Sequence, residues 1–184
     1  MRFLPLLLIS YLCSPLLRAE EDEKLGYFLD LGSMQFNGSM SDSKSETTYG
    51  FELTFPHGNK NEMLAFGFST FSADGRASGA YPGGPEDTIH GLQVTMQPNR
   101  CWGLFAEISG CVGAGLTYLR LSENSGKNEA EYGNYIGTLR LGRYNLPGLV
   151  YGLKIGYTRF AQTIEDETYF AELVPISLQV GWHL

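Results

Sequence analysis

The feature that most constrains this chain is alternation. Its final stretch, residues 173–184, reads L-V-P-I-S-L-Q-V-G-W-H-L. Val174, Ile176, Leu178, Val180, Trp182 and Leu184 share one face of a strand, and Pro175, Ser177, Gln179, Gly181 and His183 share the other. A period of two is the signature of an extended strand, and here it runs to the last residue. A strand ending the chain in this way needs a partner on each edge. Pairing with the first strand would supply the second partner and close a barrel.

The same pattern recurs upstream. Leu25, Tyr27, Leu29 and Leu31 alternate with Gly26, Phe28, Asp30 and Gly32. Tyr49, Phe51, Leu53 and Phe55 alternate with Gly50, Glu52, Thr54 and Pro56; Leu64, Phe66 and Phe68 with Ala65, Gly67 and Ser69; Leu92, Val94 and Met96 with Gly91, Gln93 and Thr95. Val112, Ala114, Leu116 and Tyr118 oppose Gly113, Gly115 and Thr117; Tyr135, Leu139 and Leu141 oppose Thr138 and Arg140; and Leu149, Tyr151, Leu153, Ile155 and Tyr157 oppose Gly152, Lys154, Gly156 and Thr158. Polar, strand-breaking stretches at 37–48, 73–87, 123–131 and 160–167 read as long loops, and 57–62 and 144–148 as short turns. The connection at 98–110 has two readings. It is either a turn carrying a short helix with Cys101 and Cys111 bridged at its ends, or an extension of the next strand. The extension would hold the two sulfurs roughly 30 Å apart along one strand, out of bonding range. The turn is the favoured reading.

The predicted fold is all-β: an eight-stranded antiparallel up-and-down transmembrane β-barrel. Strands of ~10 residues tilted ~45° cross a bilayer core, with short turns on the periplasmic side and long loops outside. The N-terminus fits this expectation. Met1-Arg2 is a positive start, residues 3–17 are apolar, and Leu17-Arg18-Ala19 offers a small residue for cleavage before four acids. Residues 1–19 are therefore expected to be a signal peptide and residues 20–184 the barrel domain, placed in the cell outer membrane. Leu12 before Cys13 argues against lipidation. After processing, 11 basic residues would face 20 acidic ones, which excludes nucleic acid as a partner. Cys101 and Cys111 remain as an even pair in a secreted chain, and a disulfide is the default expectation.

A soluble eight-stranded barrel would turn its apolar face inward and coat its outside with charge. Here the second face is mostly Gly, Ser, Thr and Gln, which suits a narrow lumen filled by its own side chains. Aromatic residues towards strand ends (Tyr27, Tyr49, Phe55, Tyr118, Tyr135, Tyr157 and Trp182) suit the two membrane interfaces. Four charges share the lumen face: Asp30, Glu52, Arg140 and Lys154, two of each sign. Charges in so tight an interior must pair, so a salt-bridge network that plugs the lumen is expected, with a gated ion path as the alternative.

The eight alternating strands, the leader and the aromatic-containing last strand resemble the small outer-membrane barrels of the OmpA/OmpX type. The resemblance implies insertion by the barrel-assembly machinery, which reads the final strand. In such proteins that strand usually ends in Phe, whereas this one ends Trp182-His183-Leu184. The expected partners are outer-membrane lipid and lipopolysaccharide, the expected state is a monomer, and no cofactor or metal is expected.

Candidate chemistry is sparse. His57 falls in a turn and His183 on the lumen face, and both read as structural. His90 begins the fourth strand at the outer end and shares the parity of Leu92, which would face it to outer-leaflet headgroups. Asp87, Glu86, Thr88 and Ser72 lie near it in sequence or across the hairpin. Small barrels resembling lipid A deacylases and palmitoyltransferases work at this level with a His and a Ser beside a carboxylate. Their closely spaced His and Ser are absent, since Gly91-Leu92 follows His90. Gly113-Ala114-Gly115 is not a dinucleotide fingerprint, because no helix follows. The four long loops carry 11 acids and three bases, an anionic rim open to divalent-cation bridging or a basic partner. The leading expectation is a non-enzymatic barrel serving envelope integrity or surface interaction. The alternatives are a lipid A-modifying enzyme using His90 and a small-solute channel.

Overall fold

Alternation does produce a barrel. The computed structural model describes residues 25–38, 45–57, 61–75, 87–124, 129–144, 146–164 and 167–184, so the expected signal peptide lies outside the described residues. Eight strands follow in order: β1 (Gly26–Gly38), β2 (Glu46–Pro56), β3 (Glu62–Gly75), β4 (Asp87–Phe105), β5 (Ile108–Glu123), β6 (Glu129–Gly142), β7 (Gly148–Ile164) and β8 (Glu167–His183). Each pairs antiparallel with its sequence neighbour, and β8 returns to β1 to close the ring. The closing seam runs from Gly26 opposite His183 to Gly38 opposite Ala171. Backbones approach closely along it: a Cβ on Gly181 would sit 2.0 Å from the Tyr27 carbonyl oxygen. Only glycine fits there.

The connection at 98–110 keeps the turn and the bridged cysteines of the favoured reading but not its helix. β4 continues to Phe105, the chain reverses at Ala106 and Glu107, and β5 leaves at Ile108. Cys101 therefore stands directly opposite Cys111, Cα to Cα 4.0 Å, and the two are bonded. There is no short helix, and the parity that argued for a strand holds on both arms because the strand folds back on itself. A register shift between Gly103 and Phe105, and Ala106 at φ 46°, make the reversal possible. This connection is thus as short as its two counterparts. At the opposite end, 160–164, expected in a loop, belongs to β7, which pairs with β8 up to Ile164 opposite Glu167. Glu46, Glu123, Glu129, Glu131 and Glu167, expected in loops, also lie on strands.

The outward face has two zones. Nearest the short turns and the termini, it is a belt of exposed apolar side chains such as Leu29, Phe51, Phe68, Val94, Leu116, Leu139, Ile155 and Leu178. Tyr27, Phe55, Trp102 and Trp182 fringe the turn end, and Tyr49, Tyr118, Tyr135 and Tyr157 fringe the other. From Leu149 to Tyr157 the belt covers about eight steps of ~3.3 Å on a strand tilted ~40°, roughly 20 Å. That approaches the ~25 Å apolar band of membrane barrels, and water would not tolerate an apolar surface this extensive.

Beyond the upper tyrosines the faces exchange character. The outward positions become Thr47, Thr70, Ser72, His90, Arg120, Ser122, Glu129, Glu131, Arg159 and Glu172. The inward ones become Met34, Phe71, Ala73, Ile89, Leu119, Leu121, Tyr132, Phe160, Ala171 and Leu173, packed as one buried cluster. An expected polar lumen is thereby corrected: the far section is an apolar-filled barrel with a polar coat. It is built like a soluble protein and stacked on a membrane-like one.

The β6–β7 seam is the shortest, ending at Ile136 opposite Thr158. Past that point side chains bridge the two strands. The Thr158 hydroxyl donates to the Tyr135 carbonyl at 2.7 Å, and the Asn134 amide donates to the Arg159 carbonyl.

Candidate functional site

The belt section's interior is polar, and its charged core draws on β1, β2, β6, β7 and β8. Period-two geometry turns Asp30, Glu52, Arg140, Lys154 and Gln179 inward, and register brings them to one level: Asp30 lies opposite Gln179, and Arg140 opposite Lys154. Arg140 crosses the lumen and donates through both terminal nitrogens to Glu52, one of these bonds measuring 3.0 Å. Both side chains are fully buried. The Lys154 ammonium donates to Glu52 Oε2 at 2.9 Å and to Asp30 Oδ2 at 2.8 Å. Gln179 Nε2 donates to Asp30 Oδ1 at 2.7 Å, and Tyr144 donates its hydroxyl proton to Gln179 Oε1 at 2.8 Å. The result is a continuous chain with two charges of each sign. Mutual neutralisation is the condition on which four ionised groups can leave water.

A second polar layer adjoins it. Gln93 Nε2 donates to Thr117 Oγ1 at 3.1 Å, Thr138 Oγ1 donates to Gln97 Oε1 at 3.1 Å, and Asn99 Nδ2 donates to the Gln97 carbonyl at 3.0 Å. Between the layers lies a cavity of about 30 Å³ lined by Asp30, Gln93, Gln97, Lys154 and Ser177 among others. That is room for one or two water molecules, about 10–15 Å³ each by this measure. Beneath, Phe28, Tyr144, Val150 and the Cys101–Cys111 disulfide cap the turn end as a second apolar cluster. His183 reinforces the cap, donating from Nδ1 to the Leu146 carbonyl at 3.2 Å and meeting Phe28 edge-on with centroids 5.5 Å apart. His57 is a turn residue whose backbone N–H donates to the Glu62 carbonyl. The lumen is therefore occluded in three tiers: apolar, ionic and apolar.

Sequence reasoning placed the four charges on one face but missed Tyr144 and Gln179. Tyr144 sits in a turn, where period-two parity assigns no face, and nothing in Y-N-L-P-G indicates that its ring folds under the barrel. Gln179 shows in the sequence only as one of the lumen-face residues, yet it links Tyr144 to Asp30.

On the outside, His90 and Ser72 are register partners on β4 and β3, and the Ser72 hydroxyl lies 2.9 Å from His90 Nδ1. Both are exposed on the outward face one step above the apolar belt. They border a groove of about 750 Å³ with Tyr49, Thr70, Leu92, Arg120, Ser122 and Glu129. Arg120 donates to Glu129 at 2.7 Å across the β5–β6 pair. Of the other residues expected near His90, Thr88 lies on β4, while Glu86 and the side chain of Asp87 lie outside the described residues.

No family model matches the chain, and no curated protein matches it. Solved structures do. Neisserial surface protein A is similar with a TM-score of 0.62 at 11% identity, covering 86% of this chain and 96% of that one. The outer membrane protein OprG from Pseudomonas aeruginosa gives 0.60 at 11% identity, covering 88% and 97%. Ail, the attachment invasion locus protein of Yersinia pestis, solved in complex with the heparin analogue sucrose octasulfate, gives 0.53 at 12% identity, covering 88% and 99%. The chain has the fold of the small eight-stranded outer-membrane β-barrels.

Proposed function

We propose that this protein is an outer-membrane barrel with a sealed lumen that acts through its outer surface, in envelope integrity or surface interaction. The exchange of inward and outward character above the upper tyrosines carries the reading. A chain that fills its far section with an apolar core and coats it with polar residues invests in a rigid structure standing clear of the bilayer. The likeness to a Neisserial surface protein and to an attachment invasion locus protein supports the same direction. Short turns and both termini then face the periplasm, the ~20 Å belt sits in the hydrocarbon, and the far section rises among lipopolysaccharide headgroups. The proposed partners are outer-membrane lipid and lipopolysaccharide, with insertion by the barrel-assembly machinery as a monomer. The three-tier occlusion favours a silent barrel over a small-solute channel.

The test has two parts. The purified protein should migrate differently boiled and unboiled and should add no conductance to a planar bilayer. A cysteine placed at Glu131 should react with a membrane-impermeant maleimide on intact cells, whereas one placed at Leu25 should not. Equal labelling at both positions, or a steady conductance, would overturn the reading.

A further inference from the structure

The surroundings of the Cys101–Cys111 bond fix when in the life of the chain it can form. The two residues are 2% and 1% exposed. They pack with Phe28, Tyr144 and Val150 in the apolar tier that caps the turn end, and the ionic chain lies above that tier. Phe28 comes from β1, Tyr144 follows β6 and Val150 lies on β7, so the enclosure forms only when distant strands close the ring. Thiol–disulfide exchange needs the attacking sulfur in direct contact with the sulfur it attacks. Sulfurs enclosed in this way are out of a protein-sized oxidant's reach.

Before closure, the same bond settles a register that alternation leaves open. The β4–β5 reversal uses two residues, Ala106 and Glu107, with a register shift beside it. Two-residue hairpins are usually specified by Gly, Asn or Asp where the backbone is left-handed, and here Ala106 holds φ 46°. A slip of two residues keeps every side chain on its face, so parity does not oppose it. It would carry Gln97 and Asn99 about 7 Å along the lumen. In the observed register Thr138 Oγ1 lies 3.1 Å from Gln97 Oε1 and 3.4 Å from Asn99 Oδ1. Gly113 leaves the space that Asn99 fills, since a Cβ there would sit 2.1 Å from Asn99 Oδ1. A bond between Cys101 and the directly opposed Cys111 admits this register and excludes the slipped one.

We propose that the Cys101–Cys111 bond is a register clamp for the β4–β5 hairpin, installed on the unclosed chain by a disulfide-donating protein of the periplasm before the barrel shuts over it. The thiolate of one cysteine attacks the donor's disulfide. A mixed disulfide forms, and the donor's second sulfur leaves as a thiolate. The thiolate of the other cysteine then attacks its partner's sulfur in the mixed disulfide. The Cys101–Cys111 bond forms and the donor's first sulfur leaves. Two cysteine thiols thereby lose two electrons and two protons, and the donor's disulfide is reduced to a dithiol. The compartment rests on the membrane placement proposed above, which surface labelling tests on its own; the shielding of the bond does not depend on it.

The experiment uses the full chain, oxidised or reduced, unfolded in urea or closed in detergent micelles. The oxidised closed barrel should be reduced by tris(2-carboxyethyl)phosphine at least ~100-fold more slowly than the unfolded chain, because the reagent must wait for the ring to open. The reduced chain, closed first and then given oxidised glutathione, should keep its thiols over the time in which the unfolded chain loses them, as counted by maleimide mass shift. Followed by the heat-dependent gel shift, the oxidised chain should close at least ~10-fold faster than the reduced one, since its register is already chosen. In a host lacking its periplasmic disulfide-donating protein, the inserted barrel should carry two free thiols. Equal reduction rates for the closed and unfolded chains would overturn the order of events, as would oxidation of the closed reduced barrel at the unfolded rate. The phosphine comparison uses the oxidised chain alone, so it decides the order even where the reduced chain does not close. Equal closure rates would overturn the clamp, and a fully bonded barrel in the deficient host would overturn the donor.

Discussion

Replacing Glu52 by Gln tests the reasoning about the lumen most directly. In the native barrel Glu52 receives two bonds from Arg140 and one from Lys154, and its side chain is fully buried. Glu52→Gln leaves Arg140 and Lys154 sharing Asp30 alone, so one positive charge becomes uncompensated in a closed interior. Breaking a buried pair from one side costs about 3–5 kcal/mol, more than a typical neutral hydrogen bond. Arg140→Met should cost a similar amount through the opposite imbalance. The double replacement leaves Lys154 bonded to Asp30 and the lumen neutral. It should lie within about 1–2 kcal/mol of the native protein, because replacing a buried pair by uncharged groups is often near neutral. The assay is denaturant unfolding of the detergent-folded barrel, followed by Trp102 and Trp182 fluorescence and by the heat-dependent gel shift. A double variant as unstable as the two single variants summed would refute the claim that neutralisation holds the network together. So would a Glu52→Gln variant within 1 kcal/mol of native by the same assay.

Other outcomes follow from the same geometry. Replacing Cys101 and Cys111 together by Ser opens a short loop and should cost about 2–3 kcal/mol in chemical denaturation without preventing closure. Ala106 holds a left-handed backbone at φ 46°, so Ala106→Gly should stabilise the barrel by about 1 kcal/mol in the same assay. Leu139→Arg, in the middle of the belt, should cost about 2–4 kcal/mol in lipid, whereas Glu131→Arg, above the upper tyrosines, should cost under ~1 kcal/mol. Similar costs at both positions would place the bilayer boundary elsewhere.

Strand existence and direction were legible because they depend on a local property. Side chains leave a strand on alternate sides, so eight alternating runs are visible wherever the strands later go. The lumen charges were legible for the same reason: Asp30, Glu52, Arg140 and Lys154 share parity with the small residues of their own strands. Cys101 and Cys111 show the limit of this reasoning. Parity is the same for one long strand and for a strand folded in two, and the fold at Ala106–Glu107 separates an impossible disulfide from the observed one. The bulge that permits the reversal has no fixed composition.

The last strand, where the alternation is cleanest, divides the two kinds of knowledge. Its sequence alone determined that Val174, Ile176, Leu178, Val180, Trp182 and Leu184 form one face, that this face is apolar, and that the strand needs two neighbours. Tertiary structure decided what each face meets. Leu173 and Gln179 point the same way, yet Leu173 enters the far section's apolar core while Gln179 joins the ionic chain with Asp30 and Tyr144. Parity states the side and not the height, and height is set by strand stagger around a closed ring. The pairing of Ser72 with His90 arises likewise from register between two strands. Alternation is encoded residue by residue; register and stagger emerge only when all eight strands close together.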